Sequence, residues 1–342
     1  MIQKQIKNKI GIIYLDRPKA LNSLNCQMIE KIEEILDIWE KDPAVKAVFF
    51  DSKAEGGLSA GGDLKEIYEN YIKNENEREK DKFFKKEFDL NKYIIDYPKP
   101  IISHWHGVTM GGGIGLTIHS DLIIADETVN WAMPETSLGF VPDVSVGHYI
   151  SKLPQALGQY VGLTGARLFP DDLVRLGLAD ILIDSSDYEK ILARLFDLDT
   201  DRLDLIDAFK EEIKDLTRDP EDSDLSRDME KIERYFSKGS IEEIITELKA
   251  NDDDFAREKL EILEGRDPFM TKVQFEKYFL GKKLSRKDTL DLDLKIINHG
   301  LKCGSIEEGI RSVMIDKDKN PIWPIKKLED VKESEIKDLL TL

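Results

Sequence analysis

The first eighteen residues, MIQKQIKNKIGIIYLDRP, alternate between apolar and polar positions as a strand does, with 10–15 the strand proper and a turn at Arg17-Pro18. In 25–40 (NCQMIEKIEEILDIWE) the period changes. Apolar residues recur at spacings of three and four, which predicts an amphipathic helix with Asn25 or Ser23 as its cap. A buried strand over 44–50 (AVKAVFF) ends at Asp51, and the glycine-rich loop EGGLSAGGD follows. Residues 65–92 read as a polar helix with Glu87 on its surface, broken by Pro98 and Pro100. Short strands are expected at 101–103 and 122–125, with a helix over 111–119 between them. The tract 153–184 reads as short helices ending in the strand-like ADILID, 188–256 as charged surface helices, and 257–342 as further helices with a polar tail at IDKDKNPIWP. This alternation points to an α/β protein of repeated β–β–α or β–α units rather than a sandwich. It predicts a core over 1–187 and a helical region over 188–342 packed on it.

The 342 residues suffice for one large domain or two smaller ones. A formal net charge of −18 argues against a general nucleic-acid or anionic-membrane surface. An anionic ligand therefore needs a local cluster of Lys and Arg. Cys26 and Cys303 are the only cysteines, which predicts no disulfide framework and favours a reducing compartment. They make no ligand-spaced pair with the histidines, so no metal is expected. The N-terminal residues resemble neither a signal nor a transit peptide, and no stretch reaches the roughly eighteen apolar residues of a membrane span. The expected location is the cytoplasm of a bacterium.

Two glycine loops, Ser59-Ala60-Gly61-Gly62-Asp63 and Met110-Gly111-Gly112-Gly113, each follow a predicted strand and precede a helix. Backbone N–H groups at such turns are unpaired, and glycine lets a ligand carbonyl approach, so two of them could form an oxyanion hole. Tight packing of a helix on a strand explains three consecutive glycines equally well. No G-x-G-x-x-G fingerprint for a dinucleotide is present. In WAMPETSLGFVPDVSVGHY, residues 131–149, Glu135 and Asp143 each follow a proline among apolar neighbours. Carboxylates so placed either pair, cap a helix, or have raised pKa values that suit acid–base work. His104, His106, His119 and His148 read as core or rim residues. Ser103 and Thr109 lack the neighbours of a serine-type triad.

The succession SAGGD, KPIISHWHGVTMGGGIGLTIHSD, MPETSLGFVPDV and LTGARL resembles the crotonase (enoyl-CoA hydratase/isomerase) superfamily. The PET and PDV pair, with FEKYFLGKKLSRKDTLDLDLKI and EEGIRSVMIDKDKNPIWPI, is similar to its thioester-hydrolase branch. The resemblance spans nearly the whole chain. It implies a crotonase (ClpP-like) fold and hydrolysis of an acyl-CoA, in valine catabolism. Gly62 and Gly112 match the N–H donors that hold the thioester oxygen, and Glu135 and Asp143 match the catalytic acids. Glu87 matches a further residue of the acyl-binding shell. Arg17, Lys19 and Lys65 lie beside loops the superfamily uses for CoA. CoA is then part of the substrate and no cofactor is implied; a trimer or hexamer is the assembly expected.

Two departures matter. Hydratases of the superfamily carry a glutamate three residues after the middle glycine, where this chain has Gly115, which counts against two-acid hydration. Ser145-Val146 stand where the family tends to have glycines. Whether Glu135 attacks the carbonyl itself or activates water is left open by the residues.

Overall fold

The alternating N-terminal run turns back on itself. Asn8 and Lys9 take φ values of 45° and 61°, the left-handed pair that a two-residue hairpin requires. Strands β1 (Ile2–Lys7) and β2 (Ile10–Leu15) therefore pair antiparallel, Lys7 opposite Ile10. The computed structural model describes residues 1–76 and 79–341. Within the helix expected over 65–92, residues 77 and 78 lie outside that range. The rest of the stretch is broken: a short helix Leu64–Ile67 and a π-helical turn Tyr68–Ile72 precede a regular helix, Lys82–Ile95.

Beyond the hairpin, β2 pairs in parallel with β3 (Ala47–Ser52) and β3 with β4 (Ile101–Trp105). A short β5 (Val108–Met110) leaves this sheet and pairs with β7 (Asn130–Ala132). The main sheet continues in parallel through β6 (Leu122–Asp126) and β8 (Ile181–Ile183), and β9 (Thr217–Arg218) closes it antiparallel. Every residue of β3, β4 and β6 is buried, as parallel strands covered on both faces require. The helix Cys26–Lys41 forms as its period predicts, and the Asn25 side chain caps it by accepting from the Met28 N–H. Its Trp39 lies so close to β2 that a Cβ on Gly11 would stand 2.6 Å from the ring, so that position admits no side chain.

The chain divides into two units interleaved in sequence, so no single cut near residue 187 separates them. The first takes 1–62, 89–131 and 168–223, and holds the seven-stranded sheet with a core that includes Ile12, Phe49, Ile102, Ile124, Leu195 and Phe209. The second takes 63–88, 132–167 and 224–342. It is helical, with the helix Pro268–Gly281 buried nearly all round. Val141, Phe269, Val273, Leu292 and Ile296 form part of its core. Among the described residues no helix is long and apolar enough to cross a membrane.

Candidate active site

In the first unit the two glycine loops meet. Gly61 has φ of +94°, and a Cβ there would stand 3.3 Å from Gly111 Cα and from Gly112 N. The three consecutive glycines serve different ends. Gly111 takes φ 49° and ψ −127°, a turn that favours glycine. Gly113 lies against Ser59, where a Cβ would come within 2.5 Å of that residue's Cβ. Gly112 opens the helix Gly112–Thr117, so its N–H has no acceptor inside the helix. Among the described residues neither the Gly62 nor the Gly112 N–H is bonded to a protein acceptor. Packing and a free donor thus coexist in one triplet.

In the second unit three carboxylates are buried together. Glu135 begins the 3-10 turn Glu135–Leu138, directly after Pro134. The turn is closed by Gly139 at φ 73°, where a Cβ would lie 2.2 Å from the Ser305 carbonyl oxygen. Asp143 follows Pro142, and Glu87 projects from the helix Lys82–Ile95. The three are 8%, 6% and 4% exposed. Glu87 is therefore not the surface residue that the polarity of 65–92 predicts. It shares a helical stripe with the buried Phe83, Phe84, Phe88 and Asn91, and that spacing is the signal the composition conceals. Glu135 Oε2 and Glu87 Oε1 have no hydrogen-bond partner among the described residues.

Burial, then the charge of Asp143, pushes both Glu135 and Glu87 well above the usual carboxylate range. Asp143 is raised to about 7 by burial and by Asp293, against the pull of Lys277. Its side chain does not cap the helix that follows; Ser145 occupies that position.

Lys277 and Asp293 both lie in the stretch FEKYFLGKKLSRKDTLDLDLKI, and nothing in its pattern marks either. They form an ion pair of 2.5 Å with side chains 2% and 0% exposed. Lys277 donates to the Pro142 carbonyl, and Asp293 Oδ2 accepts from the Ser145 N–H at 3.0 Å. The pair thus grips the loop on both sides of Asp143. Val144 and Ser145 take φ of 47° and 66°, a conformation that glycine adopts more readily. Ser145 is held in it by Asp293 and by its own hydroxyl, which donates to the Arg286 carbonyl at 2.9 Å.

The cations singled out for CoA are not gathered by side-chain contact. Arg17 donates to the Ser23 carbonyl at 2.9 Å and so braces its own loop. Lys19 is exposed, and Lys65 lies 3.9 Å from Glu69 on the surface.

The family described as Enoyl-CoA hydratase/isomerase matches residues 10–340. The chain belongs to that family. Its crotonase fold is shared with a carnitinyl-CoA dehydratase from Mycobacterium thermoresistibile at a TM-score of 0.89 and 30% identity, covering 100% of this chain and 96% of that one. An enoyl-CoA hydratase from Rhodobacter sphaeroides 2.4.1 gives 0.86 and 31%, covering 99% and 96%. Among curated relatives, the mitochondrial 3-hydroxyisobutyryl-CoA hydrolase of Danio rerio is 34% identical over 334 residues, 95% of this chain and 85% of the relative. That of Homo sapiens is 33% identical over 343 residues, 96% and 86%.

Proposed function

We propose that the protein hydrolyses the thioester of 3-hydroxyisobutyryl-CoA, or of a close β-hydroxyacyl-CoA, to the free acid and CoA, as a step of valine breakdown. The observation that carries this reading is the buried pair Glu135 and Asp143, both raised in pKa, in a chain 32–34% identical to several hydrolases of that name. A carboxylate whose affinity for protons is raised towards neutrality is suited to take one from water and return it.

In this reading Glu135 is the general base. It removes a proton from water as the water oxygen bonds to the thioester carbonyl carbon. The Gly62 and Gly112 N–H groups hold the oxygen that becomes negative, a contribution on the order of 3–4 kcal/mol for each such donor. Collapse of the intermediate breaks the carbon–sulfur bond, and the proton on Glu135 passes to the departing CoA sulfur. Asp143 raises the basicity of Glu135 and binds the β-hydroxyl, and Glu87 completes the polar shell around the acyl end. Arg17, Lys19 and Lys65 are the cations this reading assigns to the CoA phosphates. CoA enters as part of the substrate, and the thiolate is a good enough leaving group that the step draws on no further cofactor.

The rival reading is hydration of an enoyl-CoA, favoured by the names of the two solved structures above. Gly115, where hydratases have a glutamate three residues after the middle glycine, counts against it. A paired assay separates the two: free thiol released from 3-hydroxyisobutyryl-CoA, and loss of the conjugated absorbance of crotonyl-CoA. Thiol release without hydration is the expected result; hydration without thiol release overturns the proposal. A cytoplasmic location and a homo-oligomer of three or six copies belong to the same proposal, beside relatives that are mitochondrial.

A further inference from the structure

We propose that the carboxyl end of the central sheet binds a divalent transition-metal ion of the zinc class through Asp51, His104 and His106, none of which has a part in the thioester chemistry above. Strands β3, β4 and β6 are adjacent and parallel. Their register pairs Phe50 with Ser103 and Trp105 with Ala125. The next positions therefore bring Asp51 beside His104 and Asp126 beside His106. His104 and His106 are two residues apart and so face the same side of β4 and its extension. Four metal-ligating or ligand-orienting side chains thus gather on one face at the carboxyl ends of the strands, where open α/β sheets bind their ligands.

The distances fit a shared ion. Asp51 Oδ1 lies 3.2 Å from His104 Nδ1 and 3.8 Å from His106 Nε2. Ligands at about 2.1 Å from a tetrahedral zinc stand roughly 3.4 Å apart, between those two values. One ligand atom from each of the three residues lies within 4.8 Å of the others. The outer groups are also in place. His104 turns its far nitrogen to Asp126 Oδ2 at 3.3 Å, the carboxylate–histidine arrangement that orients a metal-bound imidazole. Thr128 fixes Asp126 through its N–H at 2.8 Å and its hydroxyl at 2.5 Å. Tyr188 donates to Asp51 Oδ2, which leaves Oδ1 for the ion.

His106 Nε2 is buried and has no hydrogen-bond partner among the described residues. All four side chains border a cavity of about 240 Å³ that Ser185 and Tyr188 also line, which gives an ion a way in. Two imidazoles and a carboxylate suit zinc better than magnesium or calcium, and three protein ligands leave a fourth position for water.

The test uses the full chain, stripped with a chelator, dialysed and titrated with zinc chloride by calorimetry, with metal content measured after gel filtration. One equivalent per chain at micromolar affinity or tighter is expected. His106→Ala and His106→Gln should each weaken it at least tenfold while keeping the far-ultraviolet circular dichroism and melting temperature of the metal-free wild type. Glu135→Gln should bind zinc as the wild type does, and magnesium chloride should not compete. The proposal is overturned if the folded wild type binds no zinc, if both His106 variants bind it unchanged, or if Glu135→Gln abolishes binding.

Discussion

Each unit of this protein buries a polar cluster, and the two handle charge in opposite ways. Around Asp143 in the second unit, four carboxyl groups (Glu87, Glu135, Asp143 and Asp293) are buried, and one lysine, Lys277, acts on the last three. Not all of them can ionise, so burial raises their pKa values and the cluster keeps protons where free carboxyl groups would have lost them. At the carboxyl end of the sheet in the first unit, Asp51 and Asp126 each face a nitrogen of His104. There Asp126 is held below the usual carboxylate range by the neighbouring His104 and by the hydrogen bonds it accepts from Thr128, which together outweigh burial. Burial is common to both clusters. The balance of partners decides whether a buried carboxylate becomes a proton carrier or a fixed anion.

Glu135→Gln breaks the comparison most severely. It preserves shape and removes the proton carrier, and kcat for thiol release should fall at least about a hundredfold; near-normal turnover would remove Glu135 from the chemistry. Lys277→Met comes next. It strands Asp293 without its cation, and urea unfolding should show a loss of about 3–5 kcal/mol. The double change Lys277→Met with Asp293→Asn should recover much of that, whereas an equal or larger loss would mean the pair matters through packing alone.

The smallest effect expected is on the stability of Asp143→Asn. The folded chain holds the Asp143 proton up to about pH 7, against 3.8 for a free side chain. That contribution is full below about pH 4 and is lost as pH rises through 7. The substitution should therefore raise the melting temperature by about 2 °C or more at pH 8 relative to the wild type, and by less at pH 4. A shift of the same size at both pH values would show that Asp143 does not hold its proton.

What the sequence could convey depended on how local the cause was. The helix Cys26–Lys41 and its Asn25 cap are matters of nearest turns, and the period of 25–40 announces them. The glycine loops and the Pro-Glu and Pro-Asp steps are likewise readable from a few residues, and the family resemblance supplied their roles. The hairpin at Asn8-Lys9 leaves only a polar Lys7-Asn8-Lys9 run as its mark, because neither turn residue is glycine. Glu87 reads as a surface residue because the polar residues around it outweigh its spacing of three and four from Phe84, Phe83 and Asn91.

Partners distant in the chain carry no such local mark. Lys277 meets Pro142 and Asp293 from separate elements. His104 meets Asp51 and Asp126 only because β3, β4 and β6 are neighbours in the sheet. Strand order is a property of the fold, and no short stretch of residues states it.

We propose that the proton chemistry of the thioester resides in the crowded carboxylates of the second unit. The most direct test is the pH dependence of kcat/KM for thiol release from 3-hydroxyisobutyryl-CoA, in the wild type and in Asp143→Asn. A base must lose its proton before it acts, so the wild-type rate should climb through an apparent pKa well above that of a free carboxylate, one that belongs to the coupled pair. Removing the Asp143 charge eases the ionisation of Glu135, and the climb in the variant should move down by about one pH unit. A wild-type profile flat from pH 5 to 9, or a climb that stays where it was in Asp143→Asn, would contradict the account.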